Sequence, residues 1–131
     1  MITVPGSMDD ETNLQAGRKL FAAGLNTAVL SDSLIASGGV DFFLAGNQRT
    51  VASGAMIGVH SWAAETDDGR LIQGGDLPTD HPQHQLYIQY YSDINLQDPA
   101  GFYFYTLDSA PADSIYYMTA EEMMRFGIAT N

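Results

Sequence analysis

The sequence predicts one α/β domain built on a small, mostly parallel sheet with flanking helices. Three observations carry that prediction. Apolar residues fill 45% of the 131 positions and charged residues 16%, the balance of a chain that buries a core and is ordered nearly throughout. Short runs rich in β-branched residues, such as Ile2-Thr3-Val4 and Thr27 to Leu30, alternate with longer stretches of helical periodicity. Finally, no repeat or low-complexity stretch divides the chain, and its length suits a single domain over residues 1–131.

Ile2-Thr3-Val4 reads as the end of a strand running into the turn Pro5-Gly6-Ser7. No earlier strand stands beside it, so the expectation is a chain that starts part-way into its sheet, without its first strand. From Asp9 to Ala23, acidic residues at the start and Gly24 at the end frame a helix. Thr27 to Leu30 is too short for a helix and is predicted as the next parallel strand, completing a βαβ unit. Ser37-Gly38-Gly39 introduces the compact apolar segment Val40 to Ala45, a short buried helix that Gly46-Asn47 stops. Arg49 to Val51 and Met56 to His60 flank a turn and are predicted to pair with each other. Residues 61–79 show little periodicity and read as a surface loop or lid.

Asp80-x-x-Gln83 has the form of a capping box, and Leu86, Tyr87, Tyr90, Tyr91 and Ile94 follow at helical spacing, which predicts a helix over 81–94. Phe102 to Tyr105 fits a helix or a strand. Thr119-x-x-Glu122 is a second capping box, opening a last helix through Phe126 with Met123 and Met124 packed inward and Gly127 ending it. All seven tyrosines lie between Tyr87 and Tyr117, where helix faces packed against the core or a neighbouring subunit account for them more simply than an aromatic binding site.

Composition also excludes classes of partner. Five basic residues stand against sixteen carboxylates, a formal charge of -11. Binding to a phosphate backbone needs clustered Lys and Arg, and no stretch supplies them, so nucleic acid and anionic membrane surfaces are not expected partners. No apolar run approaches the ~18 residues of a spanning helix, and no membrane insertion is expected in this segment. Cysteine is absent, which removes disulfides, thiolate nucleophiles and Cys-ligated zinc.

The constellation that points to chemistry is Ser37 with His60. A serine at a helix N-terminus sits among unpaired N–H groups, and Gly38 after it lets a substrate approach the backbone. The Gly38 N–H is one candidate oxyanion donor. The Gly6-Ser7 turn, which also leads from a strand into a helix, is the other, because open α/β sheets place ligands at the C-terminal ends of their strands. A helix running out about 15 Å and a strand returning about 16 Å bring His60 back toward Ser37, where it can act as the base.

Pro5-Gly6-Ser7, Ala36-Ser37-Gly38-Gly39, Leu44-Ala45-Gly46 with Arg49, and Gly58-Val59-His60 together resemble the ClpP/crotonase superfamily. The segment from Tyr117 through Thr119-Ala120-Glu121-Glu122 to Phe126-Gly127 is similar to that family's closing helix. Gly58-Val59-His60-Ser61-Trp62 and His84 to Tyr91 are also similar to Clp-protease-like bacterial proteins that are often exported. The resemblance implies a ClpP-like fold, Ser37 as nucleophile, His60 as general base, and an acid near the last helix at Asp113, with Asp108 as the alternative. It also implies oxyanion contacts from Gly6, Ser7 and Gly38, a homo-oligomer, and a periplasmic or exported location. Ser7 stands where the family has a second glycine, although its backbone N–H is retained.

Simpler readings stand beside these. Ser37 is equally an N-cap serine when read alone, and His60 a histidine ending a buried strand. His81 and His84 with Asp80 share a helix face, but Asp80 and Pro82 explain the stretch as a helix start, so no metal is expected. Asp41, inside the apolar helix, needs a partner, and Arg49 is the candidate. The only lysine, Lys19, lies in the first helix, which argues against a Ser–Lys dyad. The resulting expectation is a serine hydrolase or peptidase acting on a peptide or other acyl substrate without a cofactor. The alternative is a non-catalytic module that uses the fold for binding or assembly. Crotonase-type acyl-CoA chemistry is disfavoured because CoA phosphates want basic residues.

Overall fold

The computed structural model describes residues 2–4 as backbone and residues 9–130 with their side chains. The described residues form a mixed α/β fold of five α-helices and small sheets. The strands are β1 (Ile2–Val4), β2 (Thr27–Val29), β3 (Ser33–Ala36), β4 (Arg49–Val51), β5 (Met56–Val59), β6 (Ala63–Glu65), β7 (Leu71–Gln73) and β8 (Tyr116–Tyr117). The helices are α1 (Asp10–Ala22), α2 (Gly38–Leu44), α3 (Gln83–Asp93), α4 (Pro99–Ser109) and α5 (Ala120–Phe126). The Pro5-Gly6-Ser7 turn lies outside the described residues.

The main sheet has the order β1-β3-β5-β8, parallel across its first three strands and antiparallel at β8. This corrects the expected βαβ unit: β1 pairs with β3, whereas β2 pairs with β4 in a separate two-stranded sheet. Leu30 is 60% exposed and the turn after it separates β2 from β3, the strand that the sequence reading passed over. For the same reason β4 and β5 do not pair with each other. The Ala52 N–H donates to the Val29 carbonyl at 2.9 Å, extending the β2 ladder, while β5 crosses to the main sheet. Ile57, Gly58 and Val59 are all buried, as a strand with neighbours on both sides must be.

Residues 61–79 carry more structure than a loop. β6 and β7 form an antiparallel hairpin, followed by a 3-10 turn at Gly74–Asp76. β6 is exposed on both faces, so no alternation of apolar and polar residues marks it in the sequence.

The helices follow their local chemistry more closely. Asp9 caps α1 by accepting from the Thr12 N–H, and Asp98 caps α4 by accepting from the Gly101 N–H, with Pro99 in the first turn. That start resolves Phe102 to Tyr105 as helix. Thr119 and Glu122 form the expected reciprocal box, and Gly127 ends α5 at φ 65°. Two details differ from expectation. α3 begins after Pro82 without a side-chain cap, the Gln83 N–H donating to His81 Nδ1 at 3.1 Å instead of to Asp80. Met124 is 79% exposed, and only Met123 packs against the core.

Aromatic residues of α3 and α4 fill the centre of the core. Tyr90, Phe102, Tyr103 and Phe126 are fully buried, and Tyr91 and Phe126 each meet Phe102 edge-on. Gly17 lets α1 lie against this layer, since a Cβ there would collide with the Tyr90 hydroxyl.

Candidate active site

Ser37 stands where β3 passes into α2, and the β3–β5 register places it beside the end of β5, which His60 follows directly. The Ser37 N–H donates to the Gly58 carbonyl at 3.3 Å, tying the two strand ends together. Ser37 and His60 line one narrow pocket of about 40 Å³. They therefore share a site at the C-terminal ends of adjacent parallel strands, where open α/β sheets gather ligands.

The backbone of Ser37 is not that of a capping serine. An N-cap residue is extended and its side chain accepts from the first turn. Ser37 instead has φ 53° and ψ -121° and makes no side-chain capping hydrogen bond. This conformation belongs to the glycine position of a tight primed turn, and a residue with a Cβ holds it at a cost of about 1–3 kcal/mol. A strained strand-to-helix turn of this kind presents a hydroxyl at the top of a sheet, with the N–H of the next residue, here Gly38, directly after it. Asn13 fixes the Gly38 peptide by donating from Nδ2 to its carbonyl at 2.9 Å. Gly38 itself lines an adjoining, more apolar groove with Gly39, Phe42 and Asn13. Gly6 and Ser7, the other expected donors, lie outside the described residues.

His60 is oriented by the backbone. Its Nδ1 lies 2.7 Å from the Ser61 carbonyl, and donation there leaves Nε2 as the acceptor, the tautomer a general base requires. Ser61 is itself held on three sides. Its N–H donates to the Ala110 carbonyl, its hydroxyl accepts from the Gly75 N–H, and the same hydroxyl donates to the Trp62 carbonyl. Asp113 occupies an exposed turn between α4 and β8 and does not line the pocket. Asp108 lines a different depression with Ser61 and Gly75. The His60 Nδ1 partner is thus a carbonyl where an aspartate was expected.

Two carboxylates that the sequence reading did not connect with Ser37 do line the pocket, Asp10 and Asp41. Asp41 does not pair with Arg49. The Arg49 guanidinium is used up by the carbonyls of Leu44, Gly46, Gly127 and Ile128. Asp41 instead accepts from the Tyr91 hydroxyl at 2.5 Å, and the Tyr90 hydroxyl donates to its backbone carbonyl. Burial pushes the Asp41 carboxyl up to about 7, opposed by the Tyr91 hydrogen bond and reinforced by the charge of Asp10. The signal available in the sequence was spacing, because residues i and i+4 share a helix face and Ser37 precedes Asp41 by one turn.

The far wall of the pocket is aromatic. Trp62, Tyr87 and Tyr103 stack in series, with ring centroids 5.8 and 5.4 Å apart. Tyr103 accepts from Trp62 Nε1 at 2.8 Å and reaches His84 Nδ1 at 2.7 Å, while His84 Nε2 lies 2.9 Å from the Pro78 carbonyl. His84 is fully buried with both ring nitrogens occupied in this way. Tyr87, Tyr91 and Tyr103 therefore pack in the core, as expected, and line the pocket as well. Among the described residues, no group of three or more His, Asp or Glu could hold a metal ion, and no helix is long and apolar enough to cross a membrane.

Ser37, with its strained backbone, and His60, with its backbone-oriented imidazole, thus line one small, partly aromatic pocket together with two carboxylates. No protein-family model, curated protein or solved structure matches the chain.

Proposed function

We propose that the protein is a serine hydrolase of ClpP/crotonase-like fold acting on a peptide or another acyl substrate. The observation that carries this reading is the backbone of Ser37: φ 53° and ψ -121° with no capping bond, in the pocket that also holds His60. A serine kept only as a cap would not retain that strain. In the reaction, Ser37 Oγ bonds to the acyl carbon as its proton passes to His60 Nε2. The tetrahedral intermediate then expels the leaving group, which takes that proton. Water next adds to the acyl-enzyme, His60 receives its proton, and the acid departs as Ser37 is restored. Gly38 N–H is the donor proposed for the oxyanion. The carbonyl of Ser61 in place of an aspartate makes this a dyad whose imidazolium is oriented by the backbone.

Labelling by a fluorophosphonate tests the reading. Wild type should be labelled with displacement of fluoride, and Ser37→Ala should not be. His60→Ala should slow labelling by at least a hundredfold, the ordinary worth of a general base. If a folded wild type stays unlabelled, the hydrolase reading is lost and the non-catalytic binding module takes its place.

A further inference from the structure

We propose that Asp41, and not Asp113, is the carboxylate that supports His60, by facing the imidazolium across the pocket without bonding to it. The proposal rests on the hydrolase reading. Its ground is placement: Asp41 lies one helical turn beyond Ser37 on the face of α2 that lines the Ser37–His60 pocket. Because His60 Nδ1 is bonded to the Ser61 carbonyl, ring orientation needs no carboxylate. What that carbonyl does not supply is a full negative charge to match the proton His60 gains when Ser37 attacks. In a narrow pocket walled partly by aromatic rings, a facing carboxylate stabilises that ion pair.

The groups around Asp41 are set for this role. From α3, the Tyr91 hydroxyl donates to its Oδ1, and the Tyr90 hydroxyl fixes its peptide. From α1, Asp10 adds a like charge and is itself held by the Tyr87 hydroxyl at 2.9 Å. Tyr103 from α4 and His60 after β5 complete the titratable lining. Asp10 sits at the start of a neighbouring helix and Asp41 on the nucleophile's own helix, so Asp41 moves with Ser37. Asp41 is a positioning residue in this scheme, since it acts on the reacting atoms through His60.

The test is the pH dependence of fluorophosphonate labelling. Attack on phosphorus forms the Oγ–P bond, breaks P–F, and passes the serine proton to His60, so it senses both groups. Wild type then needs Asp41 ionised as well as an imidazole free to take the proton, and the acid limb of its rate profile should have a steeper slope than that of a variant without the Asp41 carboxyl. Asp41→Asn keeps an acceptor for Tyr91 and should show the shallower slope, with a plateau lowered roughly tenfold. Tyr91→Phe removes the hydrogen bond that lowers the Asp41 pKa, and should move the second ionisation to higher pH without removing it. A merely structural Asp41 would alter the amount of labelled protein and leave the slope alone. If wild type and Asp41→Asn share one slope and one plateau, or if Tyr91→Phe leaves the profile in place, the proposal is overturned while the hydrolase reading stands. No labelling of wild type at any pH would instead remove the hydrolase reading itself.

Discussion

The helices α2 and α5 are both seven residues long and end on the same guanidinium, yet they begin in opposite ways. Arg49 donates from Nη1 to the carbonyls of Leu44 and Gly46 at the end of α2. From Nε and Nη2 it donates to Ile128 and Gly127 at the end of α5. One cation thus serves two negative helix ends. At the other end, Thr119 is extended, accepts from the Glu122 N–H at 3.2 Å, and is capped in return when its own N–H donates to Glu122 at 2.9 Å. Ser37 is left-handed and caps nothing. Two helices of equal length, closed by one clamp, isolate what the start of a helix can be used for. At Thr119 it serves stability. At Ser37 it keeps strain and an uncapped hydroxyl, which the clamp and the β3–β5 ladder hold in place.

The largest way to break the comparison is to remove what the helices share. Arg49→Met leaves four carbonyls without their charged donor and should cost about 4 kcal/mol in urea unfolding. Arg49→Lys keeps the charge but has no planar fork to reach both helix ends, and should recover less than half of that loss. A loss under about 1 kcal/mol would mean that the two helix ends hold without the clamp.

A second prediction separates the interiors of the two helices. The Asp41 carboxyl, with its pKa raised to about 7 in the folded state, binds its proton more tightly than in the unfolded chain. Folding stability from this group is therefore full below about pH 4 and is lost progressively as pH rises through about 7, by on the order of 4 kcal/mol. Asp41→Asn should match wild type near pH 4 and exceed it by that margin at pH 8, measured by urea unfolding at both values. Glu122 in α5 behaves in the opposite sense. Its hydrogen bonds from Thr119 hold its carboxyl below the usual range, so its contribution is present at neutral pH and lost on acidification. Equal pH dependence of wild type and Asp41→Asn would remove the account of a buried carboxyl.

What the sequence showed of this contrast was uneven, for physical reasons. The start of α5 was legible because a capping box is local, with Thr119 and Glu122 three residues apart and each the other's partner. The short helix after Ser37 and the strand before His60 were legible from Gly and apolar patterning. The conformation of Ser37 was not, since φ is set by the two strands that β3 joins and not by the residue's neighbours in sequence. Strand partners were hidden too. Thr27 to Val29 and Ile2 to Val4 look alike as strings, and only the exposed Leu30 and the turn after it send them to different sheets. Arg49 was noticed with the wrong partner, because its four acceptors are backbone carbonyls, which every residue has and no pattern announces. The motif Ser37 to His60 could be read at a distance because each member follows a strand end. Asp10, Asp41 and the tyrosines reach the pocket only through the packing of α1, α2 and α3.

The smallest effects are the sharpest, because the two helix starts should respond with opposite sign. Thr119→Ala loses the half of the capping box that its hydroxyl makes, while its backbone N–H still donates to Glu122, and should cost about 1 kcal/mol. Ser37→Gly removes no capping bond and relieves a left-handed backbone worth about 1–3 kcal/mol, against roughly 0.5–1 kcal/mol for the added freedom of glycine in the unfolded chain. A net gain of about 1 kcal/mol is expected, or roughly 3–4 °C in Tm for a domain of this size. Ser37→Ala supplies the control, since it loses the hydroxyl but keeps the Cβ and hence the strain, and its stability should stay near that of wild type. The decisive quantity is the difference between glycine and alanine at position 37, which cancels the hydroxyl and leaves the backbone. Alanine more stable than glycine there would mean that no strain is stored at Ser37, and α2 would then start as ordinarily as α5 does.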